Sequence, residues 1–308
     1  MLHLSSPHQA CKTNQMDVAR TIDDVRSAVQ AAERASRSIA FVPTMGALHA
    51  GHLSLIHAAQ VVGSAVRTNS ADGAFIVVSI YVNPTQFGPT EDYQQYPRTF
   101  DADCDVCRKA GVDLIFAPTN DEMYPPNDQT RIRPGPLAAP LCGPFRPGHF
   151  EGVCTVVAKL FNIVQPDSAY FGQKDAQQAR VIEQMVDDLR MPVRVATCPI
   201  VREPDGLAMS SRNAKLSPED RTRALCLYNA LCLARDRVLA GETSSGRIIA
   251  AMRAVIAQHA NIKVDYLSLV DPVTLNDVTL PAARLLIAGA IRLGQTRLID
   301  NLLVEAAP

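Results

Sequence analysis

Residues Phe75 to Val82 read FIVVSIYV, a run of β-branched and aromatic residues interrupted only by Ser79. A strand with one wet face alternates apolar and polar residues. A run without that alternation must be covered on both faces, as is the central strand of a parallel sheet. Parallel neighbours need crossover connections, and helical stretches are spaced along the chain to supply them. Thr21 to Glu33 carries a capping box, Thr21 with Asp24, and sets Val25, Ala28, Val29 and Ala32 on one face. Ile39 to Val42 reads as a short buried strand, and Leu55, Ile56, Ala59 and Val62 continue as a helical stripe. Helix 101–109, strand VDLIFAP, helix HFEGVCTVVAKLFNIV, strand SAYFG, helix DAQQARVIEQMVDDL and strand VRVATCPIV follow. The pattern predicts an α/β fold, a Rossmann-like parallel sheet with right-handed crossovers. In such sheets ligands sit at the carboxyl ends of strands, here Met45–Gly46 and Asn83–Gln86.

After about Ile200 the pattern changes. Ser217–Pro218 is a helix start, with Leu225, Tyr228, Leu231 and Val238 expected on the buried face and Gly241 as its stop. A helix near Ile248 to His259 precedes strands DYLSLVD and RLLIAGAIRL. Two domains are therefore expected: residues 1–200, Rossmann-like, and residues 201–308, a smaller α+β unit. Between helix 149–164 and the preceding strand, Met123 to Gly148 holds seven of the 21 prolines, with Arg131, Arg133 and Arg146. No regular helix can run through it, and it reads as either a lid or a stiffened surface crossing.

Composition excludes several classes. With 30 basic and 31 acidic side chains the net charge is −1, which argues against a nucleic-acid partner. No run of 18 apolar residues marks a membrane span, and the first fifteen residues lack the apolar core of a secretory signal. Eight scattered cysteines suit buried thiols in a reducing cytoplasm. Cys104-x-x-Cys107 has no second pair to complete a zinc site and is expected in the core. The polar stretch at 63–74 is a loop with no assigned function.

Chemistry concentrates in FVPTMGALHAGH, Phe41 to His52. A strand emptying into a helix N-terminus offers unpartnered N–H groups and a positive dipole to an anion. His49 and His52 can add hydrogen bonds to phosphate oxygens, and Gly46, Ala47, Ala50 and Gly51 let a ligand approach the backbone. Far downstream stands MSSRN, Met209 to Asn213, whose two hydroxyls and guanidinium suit a polyphosphate. Either motif alone is compatible with a solvated loop.

Their order carries more. The His-x-Gly-His element followed by a Met-Ser-Ser-Arg loop resembles the nucleotidylyl-transferase superfamily, which includes the class I aminoacyl-tRNA synthetases. VNPTQFGPTEDYQQYPRT, RPGHFEGVCTVVAKL, FGQKDAQQ and VREPDGLAMSSRN narrow the likeness to the pantothenate synthetase (pantoate–β-alanine ligase) family, from about Phe41 to the C-terminal end. The resemblance implies an ATP-dependent ligase acting through pantoyl adenylate, with ATP, pantoate and β-alanine as partners, Mg²⁺ as cofactor, and a cytoplasmic homodimer. It implies that Met45, Gly46, Ala47, Leu48, His49, Ala50, Gly51 and His52 lie along the ATP, with His52 as the key donor. Gly172, Gln173, Lys174 and Asp175 would join them, Lys174 as a point cation. Val201 would offer its backbone to adenine, and Met209, Ser210, Ser211 and Arg212 would close over the phosphates. Gln86 and Gln178, with Asn83 and Arg146 as weaker candidates, would hold pantoate. The carboxylates from Asp101 to Asp105 read as solvated helix charges, so no protein ligand to a metal is expected. A different nucleotidylyl transferase, or an ATP-binding protein without catalysis, remains the alternative at this level; only the ligase would release both pyrophosphate and AMP.

Overall fold

The computed structural model describes residues 16–63, 73–89, 91–279 and 284–305. The N-terminal arm and the insertion around 63–74 therefore lie largely outside the described residues.

Six strands form one wholly parallel sheet: β1 (Asp17–Ala19), β2 (Ile39–Thr44), β3 (Phe75–Ile80), β4 (Leu114–Phe116), β5 (Ser168–Gly172) and β6 (Arg194–Cys198), in the order β1-β4-β3-β2-β5-β6. Alternate residues of the central strands feed opposite cores. Phe41 and Val77 pack with the helices Ile22–Arg34, His149–Val164 and Ala176–Asp188, whereas Ala40, Val42, Ile76 and Val78 pack with Ala50–Gly63 and Phe100–Lys109. This is why FIVVSIYV lacks alternation. Thr21 caps the first helix as expected, its hydroxyl accepting from Asp24 N at 3.2 Å. Cys104 and Cys107 are buried in the second core. Through the proline-rich crossing the chain forms only two short 3-10 turns, Pro136–Ala138 and Gly143–Phe145.

Three antiparallel strands, β7 (Ile262–Val270), β8 (Arg284–Leu293) and β9 (Thr296–Glu305), make a second sheet in that order. Helices Leu225–Leu239 and Ser245–Ala257 cover one face through Leu285, Ile287 and Ile291 of β8. Leu286 and Ala288, from the other face of β8, pack with Leu141 of the proline-rich crossing. So β8 is apolar from Leu285 to Ile291 because it too is covered twice.

Two expectations are corrected. The helix starting at Pro218 stops at Arg223, and a new one begins at Leu225. Its buried face is Leu227, Ala230, Leu231, Ala234 and Val238; Leu225 and Tyr228 are only half-buried, with Tyr228 stacked under the Arg202 guanidinium at 4.3 Å. Strands β1 and β9 were not predicted.

Candidate active site

The strand order reverses between β2 and β5, and a cavity of about 210 Å³ opens at their carboxyl ends, where such sheets hold ligands. Beyond Thr44 the chain turns sharply. Gly46 (φ +80°) and Ala47 (φ +50°) are both left-handed, a conformation that strains Ala47. Asp103 offsets this strain. Its two oxygens accept from Ala47 N at 3.0 Å and Leu48 N at 2.8 Å, and Thr99 Oγ1 donates to it at 3.2 Å. Asp103 is only 2% exposed. It is not a solvated helix charge; it sits four residues before Cys107, on the apolar face of its helix.

The turn also fixes both imidazoles. His49 N–H donates to His52 Nδ1 at 3.2 Å, and Gly51 N–H donates to His49 Nδ1 at 3.1 Å. With Nδ1 accepting, the proton of each neutral ring resides on Nε2, which is left as a donor. Both rings line the cavity, centroids 4.2 Å apart. Burial, and then Lys174, lowers the His49 pKa to about 4 against a weaker upward pull from Asp175. Burial, His49 and Lys174 lower that of His52 to about 3. At neutral pH both are therefore uncharged donors.

Across the cavity, the end of β5 delivers Gly172, Lys174 and Asp175, with Lys174 Nζ 3.0 Å from Asp175 Oδ2. Burial alone would raise the Asp175 carboxyl, but Lys174 and then Arg212 outweigh it and hold it below the usual range. Val201, Met209, Ser210, Ser211 and Arg212 form the third side. Met209 lies close enough to Gly51 that a methyl added there would approach its Cβ to 3.9 Å. The N-terminal imidazoles and the distant Ser-Ser-Arg segment thus share one cavity.

The remaining wall comes from β3 and helix 149–164. Asn83 is 1% exposed and fully engaged: Nδ2 donates to Gln86 Oε1 at 3.1 Å and Gly152 O at 3.2 Å, while Oδ1 accepts from Tyr124 Oη at 2.9 Å. Gly152 permits this approach, because a Cβ there would stand 2.4 Å from Thr85 O. Gln86 and Gln178 line the cavity above an apolar floor of Val153, Val156, Val157 and Leu160.

Of the other candidates, Gly46, Ala47, Leu48 and Ala50 shape the turn without lining the cavity. The Gln173 amide instead donates to Asn301 Oδ1 at 3.0 Å. Arg146 faces an adjoining cleft of about 740 Å³ that shares Lys174, Asp175, Ser210 and Arg212 with the cavity. There it grips Glu91 with two 2.6 Å bonds and donates to His149 Nε2 at 2.9 Å. His149, lowered to about 4 by burial and then Arg146, is neutral and donates from Nδ1 to Gln86 O at 2.9 Å.

Sequence reasoning missed Asp92 and Tyr96. Arg212 binds Asp92 through Nη2 (2.9 Å) and Nε (3.2 Å), Lys215 Nζ reaches the same carboxylate at 2.7 Å, and Tyr96 Oη lies 3.3 Å from Ser211 Oγ. Burial would raise the Asp92 carboxyl, yet these two cations hold it far below its ordinary value. The acidic pair Glu91–Asp92 opposite two isolated basic motifs was the available signal. Among the described residues no group of three or more His, Cys, Asp or Glu could hold a metal ion, and no helix is long and apolar enough to cross a membrane.

Comparison with known proteins shows the family. The family model for pantoate-beta-alanine ligase matches residues 17–303. A pantothenate synthetase of Thermotoga neapolitana is 49% identical over 93% of this chain and 99% of its own length; one of Trichlorobacter lovleyi is 48% identical over 95% and 100%. Among solved structures, a pantothenate synthetase of Thermus thermophilus superposes with a TM-score of 0.85 at 44% identity, covering 95% of this chain and 100% of that one. The Francisella tularensis pantoate-beta-alanine ligase, complexed with beta-gamma ATP and beta-alanine, gives 0.73 at 33% identity over 94% and 98%.

Proposed function

The chain belongs to the pantoate–β-alanine ligase family, and from that membership we infer how its cavity joins pantoate to β-alanine at the expense of ATP. A pantoate carboxylate oxygen attacks the α-phosphorus, the bond to the β-phosphate oxygen breaks, and pyrophosphate leaves. The amine of β-alanine then attacks the acyl carbon, loses a proton, and expels AMP. In the first step two anions must meet while charge grows on the leaving pyrophosphate, so alignment and charge stabilisation dominate.

The Nε2–H groups of His49 and His52 donate to the phosphates, His52 foremost. Their neutrality suits them to donate without competing for a proton. Lys174 supplies the full positive charge, oriented by Asp175; Ser210, Ser211 and Arg212 close over the β- and γ-phosphates, and the Val201 backbone meets adenine. Gln86 and Gln178 address the hydroxyls and carboxylate of pantoate, because an amide both donates and accepts. The valine floor accepts its paired methyl groups. Arg146 acts at the edge of this pocket through Gln86 O, to which it donates at 3.3 Å. Mg²⁺ bound with the triphosphate would help neutralise its charge, beside the cations Lys174 and Arg212 that line the cavity. We also propose a division near residue 200 into a nucleotide- and pantoate-binding domain and a C-terminal domain, and a cytoplasmic homodimer; light scattering of the purified protein tests the latter.

The observation that carries the reading is the single cavity shared by His49, His52, Lys174, Gln86, Gln178 and Arg212. Its test is stepwise. With ATP, Mg²⁺ and pantoate the protein releases pyrophosphate, and AMP and pantothenate appear on adding β-alanine. Pyrophosphate release that ignores pantoate would contradict it.

A further inference from the structure

Asp300 and Asn301 are consecutive residues of β9, 5% and 3% exposed. Neighbouring positions of a strand face opposite ways, so burying two polar ones side by side needs a partner on each side. Both have one: Asn301 is tied to the turn that carries the cavity-lining Lys174, and Asp300 to Arg202, which follows the cavity-lining Val201. Asn301 Nδ2 donates to Gln173 O at 2.9 Å and Lys174 O at 3.1 Å, while its Oδ1 accepts from Gln173 Nε2. Asp300 takes a two-pronged bond from Arg202, at 2.6 and 3.0 Å. Arg202 follows Val201, whose carbonyl accepts from Met209 N at 3.0 Å. The last strand of the antiparallel sheet therefore braces two walls of a site built by the parallel sheet.

We propose that Asn301 is a positioning residue for the ligation: its amide clamps the Gln173–Lys174 peptides and so sets where the Lys174 ammonium stands in the cavity. Lysine is a point charge on a flexible stem, and its reach is decided by the backbone from which it hangs. Here that backbone is a single 3-10 turn, Gln173–Asp175, between β5 and the following helix, with no side-chain cap of its own. Asn301 spends three hydrogen bonds on that turn. Packing alone does not require this, since an apolar residue of the same shape fills a core position without needing partners. The proposal rests on the reading of Lys174 as the phosphate-facing cation.

The test is a double-mutant cycle on the full chain, following pyrophosphate release from ATP and pantoate in the parent, Asn301→Ala, Lys174→Ala and the double variant. A shift of about 1 Å in a reacting group costs on the order of 10²-fold, so Asn301→Ala should slow the parent by roughly 10- to 100-fold. In the Lys174→Ala background the same substitution should change the rate by less than about 2-fold, because the two act as one unit. Equal losses in both backgrounds would make Asn301 a mere staple between sheets and overturn the proposal. If Asn301→Ala does not fold, Asn301→Asp keeps the shape and the acceptor for Gln173 but removes the donor, and is read in the same cycle. A Lys174→Ala variant as fast as the parent would discard the reading of Lys174 and this inference with it. A slow one with additive losses would discard this inference alone.

Discussion

The two walls expected to meet the triphosphate are held by different forces. The histidine turn is fastened by neutral backbone-to-imidazole bonds and by one buried carboxylate, Asp103, that accepts two backbone N–H groups. The Ser-Ser-Arg wall is fastened by charge: Arg212 and Lys215 share Asp92, with side chains 27%, 28% and 23% exposed. Backbone hydrogen bonds tied to a carboxylate that is itself buried make a fixed wall. Ion pairs that keep about a quarter of their surface in water are worth less net than fully buried ones and can be traded for another anion. On the proposed reading, Arg212 would exchange a carboxylate for a phosphate, whereas the imidazoles are held in place by the turn itself.

Breaking the fixed wall should give the largest effect. His52→Ala is expected to lose about 10²–10³ in the rate of pyrophosphate release, the usual consequence of deleting one transition-state donor. Undiminished turnover would remove His52 from the mechanism. Next, Asp103→Ala leaves the Ala47 and Leu48 N–H groups without their acceptor and should cost about 2 kcal/mol of stability in denaturant melts. A midpoint equal to the parent's would show that the turn holds itself.

Acid sharpens the contrast. The folded chain keeps His52 neutral down to about pH 3, whereas in the unfolded chain it titrates near its ordinary 6.5. Between those values the unfolded chain binds a proton that the folded one refuses, so this group's contribution is complete above pH 6.5 and declines as pH falls through the window. The slope is at most about 1.4 kcal/mol per pH unit. His52→Gln should therefore lose stability less steeply than the parent between about pH 6.5 and 4; parallel curves would contradict the assignment. The smallest effect is expected at the charged wall. Asp92→Asn should change stability by no more than about 1 kcal/mol and the apparent ATP affinity only a few-fold. A collapse of the fold would mean that this wall is as fixed as the other.

Much of this was legible in the sequence because its signals are local or ordered. The capping box, the non-alternating strands and the succession of His-x-x-His, VNPTQF, FGQKD and MSSRN motifs specify the sheet and name most cavity-lining residues. What stayed hidden depended on contacts across the chain. Asp103, in DADCD, looks like one of three solvated carboxylates until the turn that it caps is folded against it. Strand β9 was missed because Asp300 and Asn301 interrupt its apolar pattern, and their partners, Arg202 and the Gln173–Lys174 turn, lie about a hundred residues or more away. At three residues, β1 is too short to carry any periodicity.

One nucleotide touching both walls is the arrangement on which all of this depends. A crystal structure of the protein with a non-hydrolysable ATP analogue should place His52 Nε2 and the Arg212 guanidinium within hydrogen-bond distance of phosphates on the same molecule, with Asp92 displaced from at least one of its bonds to Arg212. A triphosphate bound against only one wall, the other group still turned away from it, would contradict the account.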